Sequence, residues 1–278
     1  MCYLALGTLF TRMRRFLLLT LAVAGLAAAA APAAPEPVLR ISFPEGWSAG
    51  QMADRAAEVR LIAIRKRGVT PRLSGATYAA ATRAANAPAP FRPFVKRRSV
   101  EGFLFPSTYF FQPSSSAASL VARQIETFSQ RWRAVDLRAA KARKQTPYDV
   151  LIIASLIEKE TVAPDERALV AAVIYNRLER GMPLAIDASL RYGLGVEGTR
   201  PLKQSHLRSS TPYNTHRFKG LPPTPIANPG LPSIRAAAKP AKVDFLYYVR
   251  KPNSIRHFFT ADETEFCAKA IEYGYPGC

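Results

Sequence analysis

The chain has 278 residues, of which 48% are hydrophobic, so it can fold around one large core or two small ones, and global disorder is excluded. It is strongly basic, with 39 Lys and Arg against 20 Asp and Glu and a formal net charge of +19. A basic chain is attracted to polyanions, yet its basic residues are scattered and match no ribonucleoprotein, zinc-finger or basic-leucine pattern. Nucleic acid, anionic lipids and anionic envelope polymers therefore fit the charge equally well.

The N-terminus has the composition of an export signal. Three arginines within residues 12–15 precede an apolar stretch at 16–27, and an Ala- and Pro-rich run follows. This order is typical of a signal peptide, and the apolar stretch is shorter than the roughly 20 residues that a membrane-spanning helix needs. We expect residues 1–37 to be a cleaved signal peptide or, failing that, a short membrane anchor with an Ala/Pro linker. Either would export the rest of the chain, which argues against nucleic-acid binding.

The N-terminal part of the body is predicted to mix strands and helices. A short strand is expected at 38–43, where apolar and polar residues alternate. Ser48 is a suitable N-cap for a helix that continues to Arg67, and a second short helix is predicted at 75–85. The aromatic stretch 101–111 is strand-like, and its rings suit either core packing or a sugar-lined groove.

Three helices are predicted next along the chain. One of the serines at 114–116 caps a helix to Trp132, and a further helix ends at Glu160. Pro164 and the acidic residues after it begin a third helix, which stops near Gly181.

The C-terminal part is predicted to be a long loop followed by a hairpin and a helix. Gly and Pro interrupt residues 182–233, and a loop of that length is usually functional. The segments 245–250 and 257–260 are typical of paired strands. Asp262 is expected to cap a final helix.

Cysteine and histidine spacing indicates no metal site. The three histidines, His206, His216 and His257, are far apart in sequence, and no Cys/His cluster has ligand spacing, so we expect no metal and no cofactor. Cys267 and Cys278 are close enough in sequence to form a disulfide in an oxidising compartment. Two unrelated thiols are the alternative.

The segment 152–161 is the most informative, because it ends an apolar run with two glutamates and a threonine. On a helix, Glu160 shares one face with three apolar residues at helical spacing: Ile153, Leu156 and Ile157. Such a face carries Glu160 toward the core, where desolvation raises the pKa of a carboxyl group. A glutamate that is still protonated near neutral pH is what a general acid needs. The alternative is an ordinary solvated helix former.

Glu158 lies on another side of this helix, since two residues turn it by about 200°. The two glutamates therefore cannot easily share one role. We expect Glu158 to be a structural ion-pair partner of an arginine such as Arg177.

A colinear set of segments resembles the endolytic murein transglycosylase family, also called MltG or YceG-like. The segments are 44–48, 101–109, 154–161, 174–178, 181–187, 192–194, 212–215, 220–223, 225–230 and 257–260. Together they span about residues 40 to 266. Each one is weakly specific, but the ordered set is highly specific.

The resemblance implies an α+β fold with a helix-rich catalytic domain, a small β-sheet and long ordered loops. The catalytic domain is expected at 113–278, after a truncated LysM-like small domain and connector at 38–112. Family members are anchored in the bacterial inner membrane and face the periplasm, so this chain is expected there, or free in the periplasm if the leader is cleaved. Penicillin-binding synthases or the elongation machinery are the expected partners.

The implied activity is cleavage of nascent peptidoglycan glycan strands. The bond between N-acetylmuramic acid and N-acetylglucosamine is broken, and the product ends in 1,6-anhydro-N-acetylmuramic acid. The family's catalytic glutamate is the second acid of Glu-Lys-Glu-Thr, which here is Glu160. We infer that protonated Glu160 donates to the glycosidic oxygen, and that its carboxylate then takes the proton of the sugar's C6 hydroxyl, whose oxygen closes on C1.

Polar residues in or beside the motif segments are candidate ligands of the sugar. They are Thr161, Asn176, Asp187, Tyr192, Tyr213, Asn214 and Thr215. Each of them could instead pin a loop, as Asn does in turns.

The chain also departs from the family pattern. Residues 185–188 read Ala-Ile-Asp-Ala where Gln-Thr-Asp-Pro is usual, so only Asp187 carries over, and Glu263-Thr264 stands where a Glu-His pair is expected. Two alternatives stay open. One is a hydrolytic muramidase that uses Glu160 and Asp187 as its two carboxylates, and the other is a non-catalytic basic wall-binding or scaffolding protein.

Overall fold

The structure, a computed structural model, describes residues 36–95, 99–196, 198 and 201–275. Within these ranges the chain is mixed helix and strand, so the predicted α+β class is confirmed. The strands are β1 (Leu39–Ser42), β2 (Thr108–Phe111), β3 (Tyr247–Arg250) and β4 (His257–Thr260). The helices are α1 (Ala49–Arg67), α2 (Gly75–Ala84), α3 (Ala117–Trp132), α4 (Arg138–Ala142), α5 (Pro147–Glu160), α6 (Arg167–Glu179), α7 (Asp187–Leu194), α8 (Gln204–Leu207), α9 (Leu231–Ala238) and α10 (Glu263–Glu272).

The N-terminal part packs α1, α2 and α3 with a two-stranded antiparallel sheet. Leu39 pairs with Phe111 and Ile41 with Tyr109, and all four side chains are buried in one apolar core. The alternation of buried and exposed residues along both strands is what leaves one face of the sheet for the helices. The expected LysM-like character of this part, and the boundaries after residues 37 and 112, stay predictions.

The predicted aromatic strand 101–111 is only partly right, because the strand is confined to β2. Residues 101–106 form buried turns instead, and Gly102 has a φ of 88°. The Asn228 side-chain oxygen accepts from the backbone N–H groups of Gly102 and Leu104, at 2.9 Å each. These bonds satisfy buried donors without a neighbouring strand.

Three predicted helix starts are confirmed by their caps. The side chains of Ser48, Ser116 and Asp262 each accept from a backbone N–H in the first turn of α1, α3 and α10 respectively. Each bond satisfies one donor that the helix itself leaves unpaired.

α5 is the central helix of the second core. It begins at Pro147, after a capping box between Thr146 and Asp149, and every residue from 150 to 157 is buried. α6, α7 and α9 pack around it. The sequence predicts one apolar face on this helix, but the helix is buried on all sides from residue 150 to 157. The position of Glu160 at the end of the helix therefore distinguishes it from the other residues more than its helix face does.

α6 starts later than predicted. Residues 164–166 form a turn, and the helix begins at Arg167. At this turn the Glu166 carboxylate accepts from His257 of β4, so the acidic residue bonds to another element rather than capping the helix.

The expectation that residues 182–233 are mostly loop is wrong for α7, α8 and α9. α7 ends at Leu194 and is followed by Gly195, whose φ of 62° gives a left-handed C-cap, and α9 carries Pro232 in its first turn. Glycine and proline therefore mark the ends of short helices in this segment.

The last part of the chain is the predicted hairpin and helix. β3 and β4 are antiparallel with Tyr248 opposite Phe259, and α10 packs against both. No helix within the described ranges has the length and apolar content that a membrane crossing needs. Residues 1–35 of the predicted leader lie outside the described residues, and so does Cys278 of the predicted disulfide.

Candidate active site

Glu160 ends α5 with a half-buried side chain that opens into a cleft. The Tyr248 hydroxyl of β3 donates to its Oε2 at 2.7 Å. Desolvation raises the pKa of Glu160, and the negative charge of Asp187 raises it further, while the Tyr248 bond and any positive charge on the His257 and His216 rings lower it. Desolvation is the largest effect, so this carboxyl group keeps its proton to a higher pH than a solvated glutamate does.

The cleft has a volume of about 660 Å³, which is within the range of small-molecule sites. It lies between the end of α5, the loop before α7, the β3–β4 hairpin and α10. Its lining residues are Glu160, Arg177, Leu184, Ala185, Asp187, His216, Tyr247, Tyr248, Val249, Arg250, His257, Phe266, Ala270 and Tyr275. Aromatic rings beside cationic and hydrogen-bonding groups suit a ligand with both polar edges and apolar faces, such as a sugar.

Asp187 and His216 form an exposed pair on one wall of this cleft. Asp187 is the first residue of α7, and its Oδ1 lies 2.8 Å from Nε2 of His216. Their side chains are 58% and 27% exposed, so the pair is open to a bound molecule and adds little to stability.

Glu166 and His257 form a buried pair, of which His257 lines the cleft. Oε2 of Glu166 lies 2.7 Å from Nδ1 of His257, and Oε1 accepts from the His257 backbone N–H at 2.9 Å. The His257 ring meets the Tyr248 ring edge to face, with centroids 5.5 Å apart. The histidine is thus fixed beside the tyrosine that touches Glu160.

Arg177 of α6 bonds to two of the segments that line the cleft. Its guanidinium donates to the carbonyls of Leu246, Pro183 and Leu184 at 2.6, 3.2 and 3.0 Å, and it lies over the Tyr247 ring at 5.1 Å. One side chain therefore connects the hairpin to the loop that precedes α7.

The ion pair predicted between Glu158 and Arg177 is wrong. Oε2 of Glu158 instead accepts from the backbone N–H of Gly230 at 2.9 Å, at the start of α9. A carboxylate at a helix N-terminus is stabilised by the helix dipole, which explains the partner. Glu158 and Glu160 do have separate roles in the fold, as their positions on the helix predicted.

Four of the predicted sugar ligands hydrogen-bond within the protein, close to the cleft but not among the residues that line it. Thr161 accepts from the Ala163 N–H, and Asn176 donates to the carbonyls of Val243 and Phe245. Asn214 donates to the carbonyls of Leu207 and Ser209, and Thr215 exchanges bonds with the Ile186 backbone. All four are buried.

Tyr192 of α7 and Tyr213 are not among the residues that line the Glu160 cleft. Their rings meet at 5.1 Å, and the Tyr213 hydroxyl bonds to Thr224 at 2.8 Å. Of the predicted site residues, the structure brings only Asp187 and Glu160 together in the cleft.

A separate cavity of about 350 Å³ has Lys159 and Tyr192 in its lining. The buried Glu101 carboxylate accepts there from the Ala49 N–H, the Asn228 amide and the Tyr192 hydroxyl. Desolvation raises the pKa of Glu101 to about 7, although these bonds lower it. Glu101 thereby ties the start of α1 to α7 and to the loop before α9.

Most of the cleft residues were not predicted from the sequence as site residues, among them Arg177, His216, Tyr248 and His257. The histidines are far apart in sequence, which argued against a metal site, yet His216 and His257 line one cleft. The available signal was that Arg177 and His257 lie in the motif segments 174–178 and 257–260.

The described geometry is that of an α+β protein with one desolvated glutamate at a helix end, facing a polar and aromatic cleft. The chain belongs to the YceG-like family, whose model matches residues 19–272. It is 37% identical over 158 residues to the endolytic murein transglycosylase of Bacillus subtilis, covering 55% of this chain and 42% of that protein. It is 29% identical over 181 residues to the endolytic murein transglycosylase of Streptococcus pneumoniae, covering 64% of this chain and 33% of that protein.

A solved structure has the same fold. A yceG-like protein of Listeria monocytogenes superposes with a TM-score of 0.64 at 26% identity, over 83% of this chain and 75% of that one. The matched region spans less than half the length of each of these two relatives.

Proposed function

We propose that the protein is an endolytic lytic transglycosylase that cleaves the bond between N-acetylmuramic acid and N-acetylglucosamine in peptidoglycan strands. The observation that carries this proposal is the desolvated carboxyl group of Glu160 at the cleft, held by Tyr248 at 2.7 Å. Two relatives that are named for this activity support the substrate and the reaction. The products would be strands that end in 1,6-anhydro-N-acetylmuramic acid.

The two oxygens of Glu160 are not equivalent. Tyr248 donates to Oε2, and no described residue donates to Oε1, so the carboxylic proton belongs on Oε1. Burial raises the pKa of Tyr248 well above its usual value, so the phenol remains a donor at every working pH. This arrangement presents one acidic O–H to the cleft while the other oxygen stays fixed.

The reaction needs one proton to leave the enzyme and one to return. Oε1 protonates the glycosidic oxygen as the C1–O bond breaks, and the C6 hydroxyl oxygen of the muramic acid then bonds to C1. The hydroxyl proton returns to the enzyme, so Glu160 ends the cycle protonated and no water is consumed. The simplest return is directly to the Glu160 carboxylate.

The cleft chemistry supports a sugar polymer as substrate. Tyr247 and Tyr248 offer rings against which the apolar faces of a sugar can pack, and Arg250 and His216 offer polar groups at the rim. The net charge of +19 favours an anionic polymer, which peptidoglycan is through its stem-peptide carboxylates. A protein that acts on peptidoglycan works outside the cytoplasm. We propose that this protein is anchored at the inner membrane and that its partners are cell-wall synthases.

The competing function is a hydrolytic muramidase, because Asp187 lines the same cleft as Glu160 and would be its second carboxylate. The two functions differ in the product. Purified peptidoglycan digested with the full chain should give anhydro ends, which are one water lighter in mass spectrometry than the reducing ends of a hydrolase. Reducing ends alone would overturn the lytic proposal.

A further inference from the structure

The proposed reaction gives a role to Glu160 but none to the buried Glu166–His257 pair, whose hydrogen bonds orient the imidazole ring. The Glu166 carboxylate accepts from the His257 backbone N–H at 2.9 Å and from the Thr161 hydroxyl at 3.5 Å, and its Oε2 lies 2.7 Å from Nδ1 of His257. The side chains of His257 and Glu166 are only 8% and 5% exposed. A carboxylate can only accept, so its contact with Nδ1 requires the imidazole hydrogen on Nδ1.

This assignment leaves Nε2 of His257 as the ring nitrogen for the cleft. No described residue hydrogen-bonds to it, and His257 lines the cleft together with Glu160. With the hydrogen on Nδ1, neutral Nε2 is an acceptor, and the carboxylate behind the ring stabilises the imidazolium that forms when Nε2 takes a proton. In this arrangement His257 can act as a base, and Glu166 orients its ring.

We propose that His257 is a second catalytic residue, which receives the proton of the substrate's C6 hydroxyl, and that Glu166 is its positioning residue. The inference rests on the proposed lytic reaction and replaces the direct return of the proton to Glu160. As the C6 oxygen bonds to C1, its O–H bond breaks and the proton passes to Nε2. The imidazolium then gives this proton through solvent to the Glu160 carboxylate, so protons balance over the cycle.

The sugar leaves few alternatives for this nitrogen. Within a strand the muramic acid carries a lactyl ether at C3 and glycosidic bonds at C1 and C4, so C6 bears its one free hydroxyl. An acceptor that holds this hydroxyl near C1 favours ring closure over attack by water.

Variants at the two positions test the proposal in digests of purified peptidoglycan with the full chain. His257→Gln should lower the rate of strand cleavage about 100-fold, the range of a lost general base, and raise the share of reducing ends among the remaining products. Glu166→Gln should lower the rate at least about tenfold. In that variant the fixed N–H of His257 takes the amide oxygen, so the amide NH₂ faces Nδ1 and moves the imidazole hydrogen to Nε2.

Nitrogen NMR of the histidine rings reads this change without any turnover. Wild type should carry the His257 hydrogen on Nδ1, and Glu166→Gln should carry it on Nε2. A wild-type ring with its hydrogen on Nε2 would overturn the proposal even if the variants failed to fold.

A matched control lies one residue before each partner. Arg256 and Asp165 join the same two segments at 2.6 Å, but their side chains are 53% and 62% exposed. Arg256→Gln should leave the rate and the anhydro share unchanged. If His257→Gln stays within about twofold of wild type in both the cleavage rate and the share of anhydro ends, His257 is not the base. If the wild-type protein makes no anhydro ends, the proposed function itself is wrong.

Discussion

Tyr248 and Glu160 are joined by a 2.7 Å hydrogen bond that connects the hairpin to the end of α5 across 88 positions of sequence. The bond fixes Oε2 and favours the ionised carboxylate, while desolvation works against ionisation. The working pH of the proposed acid is therefore a balance that neighbouring residues can move in either direction.

Tyr248→Phe removes the donor that stabilises the ionised form of Glu160. The pKa of Glu160 should then rise further, so the acid form survives to higher pH. We expect the alkaline limb of the pH profile of kcat/KM to move to higher pH than in wild type. A limb that moved to lower pH would show that this bond does not hold the acid.

Asp187→Asn should shift the same limb to lower pH, because the Asp187 charge raises the pKa of Glu160. The rate at the optimum should fall by less than about tenfold, whereas loss of a catalytic carboxylate costs about 100-fold or more. His216→Gln breaks the same pair but removes a charge that lowers this pKa, so its limb should move the opposite way. A 100-fold loss in Asp187→Asn would favour the muramidase.

Glu101 predicts a pH dependence of stability that is separate from activity. Its pKa is raised from 4.5 to about 7 in the folded protein, so its contribution to stability is full below about pH 4.5 and is lost as pH rises through 7. The shift corresponds to about 3 kcal/mol. The free energies of unfolding of wild type and Glu101→Gln should be measured with denaturant at pH 5 and pH 8. The stability of the variant relative to wild type should be greater at pH 8 than at pH 5. Equal differences at both values would contradict this.

Gly193→Ala should destabilise the protein, although alanine normally favours a helix. A Cβ at Gly193 of α7 would lie 2.5 Å from Cβ of Tyr213 and 2.7 Å from the Thr211 hydroxyl oxygen, so α7 must move. We expect a loss of about 1–3 kcal/mol in the free energy of unfolding. Gly50→Ala in α1 is the control, since its nearest atom would be 3.6 Å away, and it should not lose stability.

The sequence was most informative where structure is local. Ser48, Ser116 and Asp262 cap helices through bonds to residues three positions away, and such pairs are visible in a sequence. α7 and α9 were missed because their glycine and proline also occur in loops, and packing against α5 decided the outcome.

The candidate site was predictable only in part for the same reason. Glu160 and Asp187 carry a local signal, as an acid at a helix end and a carboxylate in a motif segment. Tyr248 and His257 reach Glu160 and Glu166 only after the hairpin folds back by about 90 residues. No periodicity or spacing in one sequence reports contacts of that kind.

The most direct test of the central claim compares Glu160→Gln with Glu158→Gln on the same helix. Both replace a carboxyl group by an amide of the same shape, but Glu158 bonds to the Gly230 backbone and is not among the residues that line the cleft. Purified peptidoglycan should be cut to anhydro-ended strands by wild type and by Glu158→Gln, and Glu160→Gln should lose at least about 100-fold in rate. Anhydro products formed by Glu160→Gln at the wild-type rate would contradict the account.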